Sequence, residues 1–330
     1  MPTLLEELDT IKLSFEQTVP RSLVHKRSLE NVLLTEVRSA GADTFICAGR
    51  VPTAHRFFND AARTPQNDIL FYTELGRQAS LAVSHTFLGI STADVFIFEG
   101  SQAVMADEAF RFGFQSSADS VITEINVLSA ERRKNNIVNR VVAEHIMSIG
   151  GREVFRGTGA WNIQPAALFH RLRRMSARGA QPPSHASDTF ENKSGRKASR
   201  RDCDNVVISV TEISTSGTAV ASLIVDETHP YFFDHPCDHV PGMLLLEGCA
   251  QLAMAAVSGS PSVPARTLAI RGYEMNFVQF VECGLPITLT AHVIEDASDT
   301  TGLQPPVVHV DISQNGAVSG TATMGVAFLR

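Results

Sequence analysis

Residues 229–256, HPYFFDHPCDHVPGMLLLEGCAQLAMAA, decide how the whole chain can be interpreted. Three histidines and two aspartates stand ahead of a Pro-Gly step. The residues after that step are apolar nearly all round, which predicts a buried helix over about 243–257. One acid, Glu247, falls in the second turn of this helix. The sequence therefore predicts a carboxylate at the edge of a core, directly behind a histidine-rich loop.

The same pattern occurs earlier in the chain. Asn31 and Asn205 each open an apolar, β-branched run. His55 follows the first Asn by 55 − 31 = 24 positions, and His229 follows the second by 229 − 205 = 24. Two aromatic residues come soon after each histidine, and the acid of the first copy, Glu74, lies 247 − 74 = 173 positions before Glu247. Such constancy indicates two copies of one module.

We interpret the chain as an N-terminal extension (1–20), a first repeat (21–168), a basic flexible linker (169–202) and a second repeat (203–330). Residues 171–201 hold nine Lys or Arg and two acids, with a Pro-Pro pair. This composition favours a solvated linker. The alternative is an electrostatic patch for an acidic carrier protein or a nucleic acid.

Each copy begins with two strands around a turn, continues through a His/Pro-rich stretch and a long apolar helix, and ends in further strands. The first helix is predicted over about 69–88. Alternation and β-branching support the strands, and Asn315-Gly316 is a good hairpin turn. One buried helix wrapped by an antiparallel sheet is an α+β pattern.

Bulk composition excludes several classes of protein. The net charge of −7 argues against a chain that coats nucleic acid. Five cysteines without a C-x-x-C pair indicate free thiols in a reducing cytoplasm. The N-terminus lacks a signal-peptide pattern, and no run of 18 apolar residues predicts a membrane span. We expect no metal, since His235 and His239 have no cysteine partner at a zinc spacing.

The motifs FFDHPCDHVPGMLLLEGCAQLA, VHKRS (24–28), AHRFF (54–58) and ELGRQA (74–79) together resemble one family, the AfsA-type A-factor (γ-butyrolactone) biosynthesis proteins. The resemblance implies a tandem hotdog fold and an acyltransferase without a cofactor. A β-ketoacyl group would move from acyl carrier protein to dihydroxyacetone phosphate. The resulting ester would be a precursor of a butenolide and then of a γ-butyrolactone-type signalling molecule.

Acyl transfer to a hydroxyl needs an acid or base, an oxyanion site and a phosphate ligand. Burial raises the pKa of a carboxyl, so Glu74 and Glu247 are candidate acid–base groups. His235 is the candidate catalytic histidine, whereas His239 is expected to anchor the loop with Asp238. The amide of Gly242, at a helix N-terminus, is a candidate oxyanion donor.

Arg77 lies one turn beyond Glu74 and is the first candidate for phosphate, with Arg271 as a second. Gln78 and Gln251 recur in both copies, and they either orient the glutamates or bond across the interface between the repeats. The second helix departs from the pattern of the family it resembles, E-x-x-R-Q, because Ala250 stands where that pattern has Arg.

The loss of that arginine leaves open which of the two clefts is active. Two alternatives to the acyltransferase function also remain: a hotdog dehydratase or thioesterase, and a non-catalytic protein that binds an acyl ligand. Association of two chains into a homodimer stays open as well.

Overall fold

The computed structural model describes residues 12–60, 68–106, 120–134, 136–177, 200–214, 217–235, 237–259, 268–294 and 306–328. Within these ranges no helix combines the length and apolar character needed to cross a bilayer.

The first repeat places one buried helix against a six-stranded half of a sheet. Its elements are β1 (Leu34–Ser39), β2 (Thr44–Arg50), α1 (Ile69–Phe87), β3 (Val95–Met105), β4 (Ser120–Arg132), β5 (Val138–Ile149), β6 (Arg152–Gln164) and α2 (Ala166–Ala177). Asp68 caps α1 by accepting a hydrogen bond from the amide of Leu70.

The second repeat has the same order of elements. These are β7 (Ile208–Ile213), β8 (Thr218–Leu223), α3 (Gly242–Ser258), β9 (Leu268–Phe277), β10 (Ile287–Ile294), β11 (Val307–Gln314) and β12 (Ala317–Phe328). Both central helices, α1 and α3, are buried along nearly their whole length, as their apolar sequences predict.

The two halves join into one twelve-stranded antiparallel sheet of order β1-β2-β4-β5-β6-β3-β9-β12-β11-β10-β8-β7. The repeats pair their sheets side by side, and β3 and β9 make the junction. Gly100 permits this junction, because a Cβ there would lie 2.5 Å from the carbonyl oxygen of Met275. The molecule is thus the double hotdog of α+β class that the sequence predicts.

Matching contacts from the two repeats meet between the helices. The rings of Phe57 and Tyr231 stack at 4.4 Å between centroids. Nε2 of His55 bonds to the side chain of Asn31 at 2.9 Å, and Nε2 of His229 bonds to Asn205 at 3.0 Å. Nδ1 of each histidine accepts from two backbone amides of its own loop. These two histidines therefore connect each loop to the segment that precedes the first strand of its own repeat.

Two parts of the predicted linker 169–202 differ from a flexible, solvated segment. Helix α2 runs to Ala177, and Arg173 within it is tied to the second repeat. Arg200 is buried and ion-paired. An unpaired guanidinium would not be buried, so the acids that receive Arg200 explain its position. Residues 178–199, which carry the rest of the predicted linker, lie outside the described residues.

Candidate functional site

Glu74 is the centre of a buried group that we call the Glu74 cluster, formed with Lys26, Arg77 and Gln78. Arg77 holds the carboxylate in a bidentate pair, Nε to Oε2 at 2.8 Å and Nη2 to Oε1 at 2.9 Å. Gln78 donates to Oε1 at 2.8 Å, and Nζ of Lys26 lies 3.1 Å from the same oxygen. Every face of this carboxylate is therefore occupied by a donor.

The pKa of Glu74 moves opposite to the predicted direction. Burial acts to raise this pKa, as the sequence argument assumed. The charges of Arg77 and Lys26, with hydrogen bonds from Arg77 and Gln78, outweigh burial and hold the pKa of Glu74 well below its usual range. A carboxylate so strongly ionised is a poor proton carrier. We assign it to positioning Arg77.

The second repeat has an equivalent Glu247 cluster, formed with Arg200, Gln251 and Asp68. Arg200 donates to Glu247 through Nε at 2.7 Å and Nη2 at 2.9 Å, and Gln251 donates at 2.6 Å. Arg200 occupies the repeat position of Lys26, since 200 − 26 = 174, the offset that relates His55 and His229. The arginine missing at Ala250 is thus compensated from outside the helix.

Gln78 and Gln251 orient the glutamates, the first of the two roles that the sequence left open, and the bonds described for them do not cross the interface between the repeats. Each donates to its glutamate four residues earlier. Each also bonds to an N-terminal segment of its own repeat: Gln78 to the backbone of Asn31 and Leu33, Gln251 to that of Asn205 and Val207.

The two clusters differ in what their arginines leave available. Arg200 uses all three guanidinium nitrogens, on Glu247, on the carbonyl of Phe57 at 3.1 Å and on Asp68 at 3.3 Å. Its side chain is 1% exposed. The Arg77 side chain is 31% exposed, and its Nη1 has no hydrogen-bond partner among the described residues. Only the Glu74 cluster offers a free edge of a guanidinium.

A histidine pair stands beside the Glu74 cluster. Nδ1 of His85 lies 3.0 Å from the carbonyl oxygen of Ile90, and Nε2 lies 3.0 Å from Nε2 of His25. A carbonyl only accepts, so Nδ1 of His85 carries the proton, and Nε2 then accepts from His25. In the neutral pair, His25 therefore keeps a lone pair on Nδ1. Burial, Arg77, His85 and His235 lower the pKa of His25 to about 3.

His25 is a candidate that the sequence analysis did not select, although it lies in the quoted motif VHKRS. It has φ of 51°, at the end of a short 3-10 turn over Arg21–Val24. A left-handed conformation is uncommon for a residue other than glycine. The sequence shows a histidine at position 25, but it does not show that this histidine pairs with His85, 60 positions away.

The second repeat contributes the loop around Asp234 and His235 to the same place. Asp234 accepts from the amides of Arg27 and Ser28 at 2.6 and 2.9 Å and from Asn31 at 2.9 Å. His235 follows it, and its buried Nδ1 has no partner among the described residues. Burial, with Arg77 and Lys26, lowers the pKa of His235 to about 4. His235 is therefore neutral, and it lies near the two positive charges of the Glu74 cluster, those of Arg77 and Lys26.

The remaining predicted residues lie apart from these contacts. Gly242 begins α3, whose N-terminus has no side-chain cap, and it packs near Phe98 and Phe277. Arg271 is half-buried on β9, in the sheet rather than on either helix. Its role as a phosphate ligand stays a prediction. His239 bonds to Asp238 at 2.7 Å, as predicted.

The side chains of Asp202, Cys203 and Asp204, all among the described residues, lie close enough together to share a metal ion. Arg56 pairs with both of these aspartates. The set lies in a short turn before β7 and has no histidine ligand. The thiol of Cys249 is buried on α3, and burial raises its pKa.

Comparison with known proteins finds one matching family and several relatives of similar sequence. The family described as AfsA, A-factor biosynthesis hotdog domain, matches residues 9–158 and 193–330. A 2-oxo-3-(phosphooxy)propyl 3-oxoalkanoate synthase of Streptomyces virginiae is 31% identical over 289 residues, which cover 86% of this chain and 90% of that protein. A protein of the same name from Streptomyces coelicolor is 28% identical, over 85% of this chain and 84% of the relative.

Solved structures share the fold at much lower identity. A Lactobacillus plantarum protein described as an oleoyl thioesterase superposes with a TM-score of 0.52 at 13% identity, covering 88% of this chain and 97% of that one. A hot dog protein of unknown function from Alicyclobacillus acidocaldarius gives 0.50 at 11%, covering 91% and 97%. These similarities support the double hotdog architecture alone.

Proposed function

Because the chain belongs to the AfsA family of A-factor biosynthesis hotdog proteins, we propose that it transfers a β-ketoacyl group to dihydroxyacetone phosphate. The name of the relatives describes the expected product, a 3-oxoalkanoate ester of a 2-oxo-3-(phosphooxy)propyl group. The acyl donor is a thioester on acyl carrier protein. The ester is the precursor of a butenolide phosphate and of a γ-butyrolactone-type signal.

The observation that carries this proposal is the free edge of Arg77. Glu74 fixes the guanidinium through Nε and Nη2, so the group is already oriented before substrate arrives. The opposite edge, with Nη1, matches two oxygens of a phosphate. An acceptor held there by its phosphate would present its hydroxyl end to the neighbouring histidines.

His25 is the group that we assign as the base. His85 and the carbonyl of Ile90 fix its tautomer, which leaves Nδ1 as an acceptor for the hydroxyl proton. A bound phosphate dianion would offset the charge of Arg77, one of the causes of the low pKa of His25, and so make this histidine a stronger base. The acceptor substrate would thereby activate the residue that deprotonates it.

The proposed step balances without an oxidant, a reductant or a cofactor. The acceptor hydroxyl loses its proton to Nδ1 of His25 as its oxygen bonds to the thioester carbonyl carbon. The tetrahedral intermediate then collapses, the carbon–sulfur bond breaks, and the thiolate takes the proton from His25. The products are the phosphorylated ester and the free thiol of the carrier.

Charge on the intermediate needs donors on the other side of the cleft. The amide of Gly242 at the uncapped N-terminus of α3 is our candidate, and the helix dipole favours an anion there. His235, in the loop that leads to this helix, is the second candidate for proton transfer. We place the reaction in the cytoplasm, where the five free cysteines remain reduced.

The test is to incubate the protein with a β-ketoacyl thioester and dihydroxyacetone phosphate, and to follow products by mass spectrometry. We expect a phosphorylated ester whose formation requires both substrates. Release of free acid at the same rate without the acceptor would instead favour a thioesterase. An enoyl product would favour a dehydratase, and binding without turnover would favour a non-catalytic acyl-binding protein.

A further inference from the structure

Helix α2 follows the last strand of the first repeat but is pinned to the second repeat. Arg173 pairs with Asp238 at 3.0 Å and with both oxygens of Glu282 at 2.7 Å. Its guanidinium also lies 4.7 Å from the centre of the Phe280 ring. Phe169, one turn earlier, is buried and contacts the same ring. One face of α2 is thus fixed against Asp238, which precedes α3, and against Phe280 and Glu282, which follow β9.

A neighbouring side of α2 carries an apolar stripe. Leu168, Leu172 and Met175 are 39%, 47% and 61% exposed. Their spacing of i, i+4 and i+7 places them in one row along the helix. Large exposed apolar side chains arranged in a row, rather than scattered singly, mark an interaction surface.

The charge on this face has one sign. Arg171 and Arg174 are exposed beside the apolar stripe, and the helix sequence AALFHRLRRMSA contains no acid. The chain as a whole has a net charge of −7, so this basic helix contrasts with the rest of the molecule. A surface of this kind selects a partner that presents acids around a small apolar contact.

We propose that α2 is the docking surface for the acyl carrier protein that delivers the thioester, an inference that rests on the proposed function. Acyl carrier proteins are small, acidic and helical, which fits a basic helix with an apolar row. The position fits as well, because Arg173 and Phe169 hold α2 next to Asp238 and His239, in the loop that leads into α3. A carrier bound here would stand at the entrance of the cleft.

The decisive experiment compares two donors that carry the same β-ketoacyl group, one on acyl carrier protein and one on N-acetylcysteamine. Reversing the charges with R171E/R174E should raise KM for the carrier-bound donor roughly tenfold or more, which is about 1.4 kcal/mol or more of binding energy. KM and kcat for the small thioester should not change. The matched control is K12E/R152E, which reverses two exposed charges outside α2, one ahead of β1 and one at the start of β6.

Equal KM values for wild type and R171E/R174E with the carrier-bound donor would overturn the proposal. An equal loss with both donors would also overturn it, since the helix would then support the cleft rather than the carrier. Leu172→Ser tests the apolar row, with the same expected selectivity for the carrier-bound donor.

Binding of acyl carrier protein, measured by fluorescence anisotropy, separates this inference from the proposed function. Binding that weakens in R171E/R174E supports the docking surface even when no ester forms. Absence of binding by the wild type contradicts it, whatever the turnover with the small thioester. The mass of the protein in solution tests a further occupant, because a dimer that R171E/R174E splits would assign α2 to a second copy of the chain.

Discussion

Arg77 and Arg200 hold equivalent glutamates, yet of the two only Arg77 keeps a nitrogen, Nη1, without a partner among the described residues. We therefore expect Arg77→Gln to raise KM for dihydroxyacetone phosphate by roughly ten- to a hundredfold, the range for loss of a charged hydrogen bond. KM for the acyl donor should stay the same. Initial rates at varied acceptor concentration measure this change, and an unaltered acceptor KM would move phosphate recognition to another residue, such as Arg271.

Arg200→Gln should have the opposite profile. Arg200 is buried between Glu247 and Asp68, so its removal leaves two carboxylates without their cation. Breaking such a buried pair typically costs about 3–5 kcal/mol of unfolding free energy. Urea unfolding followed by circular dichroism measures the loss. A stable Arg200→Gln protein with impaired acceptor binding would show that we have exchanged the roles of the two clusters.

His25→Asn tests the proposed base at the same scale. Asparagine tolerates the left-handed backbone at this position, so the fold should persist. We expect kcat to fall by about 10²–10⁴, the usual contribution of a general base, with both KM values nearly unchanged. His292→Asn, on the exposed part of β10, is the control. A larger loss in His235→Asn than in His25→Asn would transfer the role of base to His235.

At the scale of elements, the two repeats solve one packing problem in opposite ways. A Cβ on Gly49 of β2 would lie 2.6 Å from a methyl group of Leu75 on α1. In the second repeat the glycine is on the helix, and a Cβ on Gly248 would lie 2.5 Å from a methyl group of Leu223 on β8. The repeat offsets place Gly49 opposite Leu223 and Leu75 opposite Gly248.

This exchange predicts a compensating double mutant. Gly248→Leu alone should overpack the helix against the sheet, and Leu223→Gly alone should leave a cavity, each with a loss of a few kcal/mol. Together they recreate the arrangement of the first repeat, so much of the loss should be recovered. A double-mutant cycle of unfolding free energies measures this coupling. Strictly additive losses would show that the two side chains do not compete for one space.

The sequence predicted those elements whose signal lies within their own residues. Helices α1 and α3 are apolar all round, and their predicted ends agree with the structure within a residue or so. Strands β3 and β9 were not predicted, because neither alternates cleanly between apolar and polar residues. Their pairing joins the two repeats, so the decisive contact for each lies outside its own sequence neighbourhood.

The candidate site shows the same limit. Motif and repeat selected Glu74, Arg77 and Glu247, but they could not show that both carboxylates are saturated by donors. Arg200 lay in a segment whose composition favours a solvated linker, although its offset of 174 from Lys26 was a usable signal. The pairing of His25 with His85 depends on how a turn packs against a helix, and no spacing rule predicts it.

Across the whole molecule, duplication has produced two glutamate–arginine clusters whose arginines differ in how many partners they have. In one, Arg200 closes the space around Glu247 and serves stability. In the other, Lys26 supplies the buried cation, so Arg77 retains a free edge and the histidines surround it. A working site in one half and a structural counterpart in the other is consistent with the loss of arginine at Ala250. On this asymmetry we propose the cleft at the Glu74 cluster as the active one.

The stability of the whole protein should depend on pH because several histidines are buried without a charge. The pKa values of His55, His145, His229 and His235 are lowered to about 4, with burial as the first cause of each. Histidines of the unfolded chain bind protons near their ordinary pKa of 6.5, whereas those of the folded chain do not until about pH 4. The contribution of these histidines to the unfolding free energy is therefore fully present above pH 6.5, and it decreases as the pH falls toward 4.

His145 gives the sharpest test of this dependence. It is buried on β5, bonds to Ser80 at 2.6 Å, and its pKa is lowered by burial without a charged neighbour among the causes. His145→Gln removes one such group, so the decrease in unfolding free energy between pH 7.5 and pH 5 should be smaller than in the wild type. The difference is at most about 1.4 kcal/mol for each unit of pKa shift that lies within that interval. His292→Gln, which changes an exposed histidine on β10, is the matched control. Urea unfolding at both pH values measures the slopes, and equal slopes for His145→Gln and the wild type would mean that His145 is already protonated in the fold or is not buried.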